Sequence, residues 1–221
     1  MVGHIDPFSG DLFSQIASLE NLFLSFREFR RGKRKKLDVQ RFEIKSENNL
    51  FTLHEKLSNK IYRHSDYTAF YVTDPKLRHI HKASVPDRII HHAVYRVLYP
   101  LFDKSFIFDS YSCRLKKGTH KAVLRLEKFA KIVSQNYAKP CHVLKCDIRK
   151  FFDSVNHEIL LNLIGKKISD KNCLWLIKEI IDSFPKYPQG FVQPDLFERE
   201  RESTFCVAPA CRRGREFPSV I

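Results

Sequence analysis

Along the first quarter of the chain apolar residues recur at helical spacing. Leu12, Ile16, Leu19, Phe23 and Phe26 are separated by three or four positions, which predicts a helix from Asp11 to Arg31. Residues 38–61 repeat the pattern through Phe42, Leu50, Leu53 and Leu57. At residue 67 the period changes. "YTAFYV" is rich in aromatic and β-favouring residues, "TDPK" is turn chemistry and "LRHIHKA" alternates, so the three predict a β-hairpin. After Pro86, Ile89, Ile90, Ala93, Val94, Val97 and Leu98 trace a helical face that Pro100 is expected to stop. Ala122, Leu126, Phe129 and Val133 predict another helix, beginning near Gly118. "CHVLKCDI" (141–148) reads as a buried strand, "VNHEILLNLIG" as a short helix ended by Gly165, and Leu174, Ile177, Ile181 and Phe184 as the face of a last helix.

Beyond Phe184 no period is sustained, and residues 185–221 read as an irregular tail. No internal repeat or low-complexity linker interrupts residues 11–184, so they are expected to form one folded α+β unit. Hydrophobic residues make up 43% of the 221 positions, with 19 phenylalanines, enough apolar surface to offset the entropy of folding. No apolar run approaches membrane-span length and the amino terminus has no secretory pattern, so a cytoplasmic protein with no membrane partner is expected.

Charge narrows the picture. Lys and Arg number 39 against 25 acids, a net +14, and the commonest polyanion a basic protein meets is nucleic acid. Seven of the ten residues in "REFRRGKRKK" (27–36) are basic, which suits either a solvated connector or a phosphate contact. The cysteines sit singly in apolar contexts, as reduced core thiols do; Cys206 and Cys211 form one C-x4-C pair without a second, so zinc is not expected. His79, His81, His91 and His92 lack a matching acid or Cys cluster and read as packing and RNA-contact residues.

The candidate chemistry centres on "HVLKCDIRKFFDSVNHEIL" (142–160), where an apolar run ends on Asp147. A carboxylate at a strand end, beside a loop that exposes carbonyls, suits Mg²⁺, which takes oxygen ligands and keeps water and phosphate in its shell. By itself Asp147 fits a turn cap better than a metal ligand.

The longer string "DIRKFFDSVNH" resembles the first palm motif of prokaryotic reverse transcriptases, the group that includes group II intron, retron and diversity-generating enzymes. The resemblance implies that Asp147 is catalytic and binds the Mg²⁺ ions, that Ile148 lends its backbone carbonyl, and that Phe152 packs under the nucleotide sugar and excludes a 2′-OH. Phe151 would then point the opposite way, into the core, by strand alternation. Asp153 and Ser154 begin a turn whose N–H groups either meet the triphosphate or only form the turn.

Two upstream stretches strengthen the likeness. "DPKLRHIHKASVPDRIIHHAVYRVLYPLF" looks like the family's first fingers motif, with Lys76 and Arg78 as nucleotide-binding cations and Arg88 left to ion pairing or to the helix start. "FIFDSYSCRLKKGTHKAV" looks like the second, nearest in form to the diversity-generating enzymes, with Arg114, Lys116 and Lys117 around Gly118 suited to a template phosphate track or to a merely solvated basic loop.

The likeness implies helical fingers with a β-hairpin plus the start of a right-hand polymerase palm: residues 1–66 a basic helical region, 67–184 fingers and partial palm. Its partners would be an RNA template, a primer, dNTP and a retroelement accessory protein. It runs from about residue 11 to 184. No Y-x-D-D turn and no adjacent pair of aspartates follows Asp147, so the sequence is expected to be a truncated or frameshifted polymerase, inactive by itself. The rival expectations are an RNA-binding protein without catalysis and an intron maturase fragment.

Overall fold

The computed structural model describes residues 11–73, 77–148 and 151–184, without the side chains of Phe152 and Asp153. Two compact units emerge: Met1–Ser105 with Lys150–Gln189, and Phe106–Arg149 with Gly190–Ile221.

The first unit opens with α1 (Leu12–Ala17) and α2 (Leu19–Phe29), where one helix was expected. The break is at Ser18, whose extended backbone lets its hydroxyl accept from Asn21 N–H and cap α2. The rotation about that break buries Leu22 and Phe29 and leaves Phe23 38% exposed. A second break, at Lys45, separates α3 (Leu37–Ile44) from α4 (Ser46–Ser58).

The hairpin forms as expected, with β1 (Thr68–Val72) antiparallel to β2 (Arg78–Lys82) and Phe70 opposite Ile80. Next comes α5 (Val85–Asp103), capped by Ser84 and carrying Pro86 in its first turn. Pro100 does not stop α5; it lies near the end, where a missing N–H removes a single hydrogen bond and the helix completes one more turn. The unit closes with the helical turn α7 (Phe151–Ser154), α8 (His157–Gly165) and α9 (Lys171–Asp182).

The core lies where α1, α2, α4, α5 and α9 meet, around the fully buried Ile16, Leu22, Leu50, Leu57, Ile89, Ile90 and Leu176. Each such side chain contributes about 1.5–3 kcal/mol by leaving water. At the α9 end Phe13 stacks edge-on against Trp175, and Asp170 caps α9 while accepting from Phe13 N–H at 2.7 Å.

The second unit holds α6 (Thr119–Val133), which starts at Gly118 as expected, with that glycine at φ +107°. Its apolar face differs from expectation in packing: Leu126, Phe129 and Val133 are all 41% exposed or more. The strand expected over 141–148 does not form. Only His142 makes a bridge and residues 143–148 have no regular structure. A strand needs a neighbour for its N–H and C=O groups, and the one sheet among the described residues is the two-stranded hairpin. The described residues are therefore mainly helical with a small antiparallel sheet, compatible with an α+β class. No helix among them is long and apolar enough to cross a membrane.

Candidate nucleic-acid interface and metal-binding acid

The hairpin grows from a buried polar anchor. "SVPD" at the start of α5 places Asp87 three residues after its cap, and the Asp87 side chain is 1% exposed. Its carboxylate accepts from Tyr62 O–H at 2.8 Å, Ser84 O–H at 2.6 Å and Ser65 N–H at 3.2 Å. Three donors are what a buried carboxylate needs to offset its lost hydration. Burial and the Asp87 charge push the Tyr62 phenol far up, so it stays a donor.

His64 lies beside this anchor, its Nδ1 3.9 Å from Asp87 and 2.6 Å from the Ser65 carbonyl, its Nε2 3.2 Å from His91 Nε2. The carbonyl contact requires a proton on His64 Nδ1, and the two Nε2 atoms share one hydrogen bond. Burial first, then the neighbouring His64, lowers His91 to about 4. The segment leading to β1 is also tied to α9, through Arg63 to Glu179 at 2.7 Å and the hydroxyl contact of Tyr67 with Ser183 at 3.2 Å.

From this root the hairpin projects with both faces accessible. Arg78 opens β2, is exposed, and has no carboxylate partner among the described residues. Lys76 lies outside the described residues. Arg88 is spent inside the fold: its Nη2 donates to Asp38 at 2.8 Å, its Nε to the Ser84 carbonyl at 3.4 Å, and its guanidinium lies over Phe29. Asp38 also takes Lys82 at 2.7 Å, and the two cations hold its carboxyl below the usual range. His91 and His92 are packing residues, the latter edge-on to Phe29 at 5.7 Å.

The block 27–36 forms the end of α2 and the turns before α3. Arg30 pairs with Glu43, and Lys33 lies over Phe29 while donating to its carbonyl. Arg27, Arg31, Arg34, Lys35 and Lys36 are exposed, and among the described residues no acid pairs with them. They form a cationic elbow with its counter-charges already used elsewhere.

In the second unit the loop before α6 is organised by its own cations. Arg114 donates to the carbonyls of Ile107 at 2.9 Å and Ser110 at 3.3 Å and lies over Phe106. Lys117 donates to the Phe108 carbonyl and sits 3.9 Å from that ring's centre and 4.8 Å from that of Tyr111. Arg125 bridges Asp109 and Phe129. Lys116, at φ +59°, is exposed. The three residues expected to face a template thus share one loop, and two of them also build it.

Asp147 is exposed, its Oδ1 accepts from Ile148 N–H at 2.9 Å, and it has no ion pair among the described residues. Ile148 is 64% exposed. These are hard oxygen donors, one carboxylate and an adjacent carbonyl, which fit a Mg²⁺ that keeps most of its shell as water or phosphate. Among the described residues no cluster of three or more His, Cys, Asp or Glu stands ready for a metal. Phe151 is 51% exposed rather than in the core; it stands in a helical turn, where strand alternation does not govern direction. The side chains of Phe152 and Asp153 lie outside the described residues.

The sequence reading passed over His64 and the role of Asp87 as an anchor. The S-x-x-D spacing at 84–87 was the available signal for the second, whereas no local pattern marks His64.

No known protein-family profile matches the chain. Two curated proteins are similar to it. Protein YkfC of Escherichia coli (strain K12) is 24% identical over 127 residues, 58% of this chain and 31% of that protein. Nuclear intron maturase 1, mitochondrial, of Arabidopsis thaliana is 24% identical over 106 residues, 47% of this chain and 14% of that protein. The chain therefore spans a third or less of the relatives it matches.

Proposed function

We propose that this chain provides the fingers and the first metal-binding element of an RNA-directed DNA polymerase of the reverse transcriptase kind, in a retroelement of the diversity-generating type. The observation that carries the reading is Asp147: an exposed carboxylate with no ion pair among the described residues, near the end of the apolar stretch 141–148 and four residues before α7 in the sequence. Arg78, exposed on the hairpin with no carboxylate partner among the described residues, and the likeness to an intron maturase support it.

In this reading Asp147 and the Ile148 carbonyl hold Mg²⁺, which would supply charge neutralisation for a triphosphate. Lys76 and Arg78 bind the dNTP phosphates, Phe152 sits against the sugar, and Asp153 borders the phosphate pocket. Arg114, Lys116 and Lys117 border the template RNA, with Lys116 the main phosphate contact and the other two setting the loop's shape. A retroelement accessory protein is a further partner of the same proposal.

Polymerisation requires more negative charge around the metals than one carboxylate provides, and no adjacent Asp pair follows Asp147 in these 221 residues. The chain by itself is therefore expected to bind RNA without extending a primer. The test joins residues 1–184 to the Y-x-D-D segment of a relative. Asp147→Ala should then abolish Mg²⁺-dependent DNA synthesis, and Phe152→Ala should chiefly admit ribonucleotides. DNA synthesis at the parent rate by the Asp147 variant would refute the assignment.

A further inference from the structure

One face of the hairpin is built of rings. Strand alternation puts Ala69, Tyr71, His79 and His81 on the same side, opposite Phe70, Ile80 and Arg78. Tyr71 and His79 are cross-strand partners and stack at 4.6 Å between ring centres, 21° from parallel. Tyr71 is 65% exposed.

The stack does not end there. His79 meets His81 edge-on at 4.4 Å, His81 meets Phe184 at 5.2 Å, and Phe184 meets Tyr67 at 5.6 Å. Tyr67 stacks on His64 at 4.8 Å, and His64 stacks on His91 at 5.2 Å, beside the buried Asp87. A ring pair of the exposed Tyr71 and the half-buried His79 is thereby tied, ring by ring, to the anchor at the start of α5. Such a pair presents a π-face whose orientation is fixed before anything binds, so little freedom is lost on binding.

The chemistry of this face selects its partner. Its largest aliphatic group is Ala69, so it offers little to an apolar protein surface, and the hairpin strands contain no carboxylate while carrying Arg78, His79, His81 and Lys82. Flat rings on two strands that carry basic side chains and no carboxylate, on a chain of net charge +14, match unpaired nucleobases on a phosphate backbone.

We propose that Tyr71 and His79 form a stacking platform for the unpaired bases of a single-stranded RNA. This rests on the reading of the chain as RNA-handling, and it names a contact that is separate from the phosphate-binding cations and from Asp147. Stacking on an aromatic side chain is insensitive to salt, whereas phosphate neutralisation is not.

The experiment measures binding of the full chain to a short oligo(rA), to an abasic ribose-phosphate chain of the same length, and to an RNA duplex, each across a salt series. Tyr71→Leu keeps an apolar strand residue and removes the ring. It should weaken oligo(rA) binding about tenfold with the salt slope unchanged, and leave the abasic chain and the duplex as they were. Tyr71→Trp should restore binding. Equal affinity of Tyr71→Leu and the parent for oligo(rA), or an equal loss on the abasic chain, would overturn the platform. Either result, with the steep salt dependence intact, leaves the polymerase reading standing; failure of the parent to bind any RNA removes both.

Discussion

Asp87 shows how one side chain determines where a surface element stands. Its carboxylate takes three donors, from the segment before β1, from the α5 cap and from Tyr62. Removing it leaves those donors buried and unpaired, so Asp87→Ala should lower unfolding free energy by about 3 kcal/mol or more in urea titration. Asp87→Asn keeps the shape and loses the charge, and should cost less. A loss near zero for Asp87→Ala would show the anchor to be dispensable.

His91 gives the same anchor a pH dependence. The groups that face it are His64, Asp87, His92 and Arg88. Its folded value of about 4 lies below the ordinary 6.5, so the unfolded chain binds the proton more readily. Its contribution is fully present above about pH 6.5 and declines as the pH falls toward 4, by up to about 3 kcal/mol. His91→Gln should flatten that part of the stability–pH curve. Asp38, held low by Lys82 and Arg88, should act only at lower pH, in the carboxylate range.

Among the elements, those whose stability is local were legible from sequence. The hairpin has β-favouring strands around a turn, and α5, α6, α8 and α9 have apolar faces with caps at Ser84, Gly118, Asn156 and Asp170. What was not legible depends on context. Ser18 fits a helix interior by period, yet its hydroxyl competes for the backbone and caps instead; Ser18→Ala should therefore cost about 1 kcal/mol by thermal or urea unfolding. The strand expected at 141–148 has the right residues and no partner among the described ones, because pairing is a property of two segments. Likewise the cations of the second fingers-like stretch were legible as charge, but nothing in their spacing told that Arg114 and Lys117 would turn inward onto carbonyls and rings.

For the whole molecule, the surplus of +14 acts through exposed cations that have no acid partner among the described residues. At the α2–α3 elbow the nearby acids Glu28, Asp38 and Glu43 are already paired with Arg96, with Lys82 and Arg88, and with Arg30. Replacing Arg31, Arg34 and Lys35 together by Ala should therefore reduce the log–log salt slope of RNA binding by about two, without a change in stability. The Arg114 and Lys117 variants should instead alter the loop, with a smaller slope change and easier proteolysis of residues 106–118.

The proposed role of Asp147 as a metal-binding acid in an RNA-handling protein is open to metal-directed cleavage. With hydrogen peroxide and ascorbate supplied, Fe²⁺ bound in place of Mg²⁺ reduces peroxide to hydroxyl radicals that cut nearby backbone. With RNA template, primer and dNTP present, the 221-residue chain should be cut around residues 146–153, Mg²⁺ should compete, and Asp147→Asn should abolish the cut. Cleavage that persists in Asp147→Asn, or that never appears near residue 147, would contradict the account.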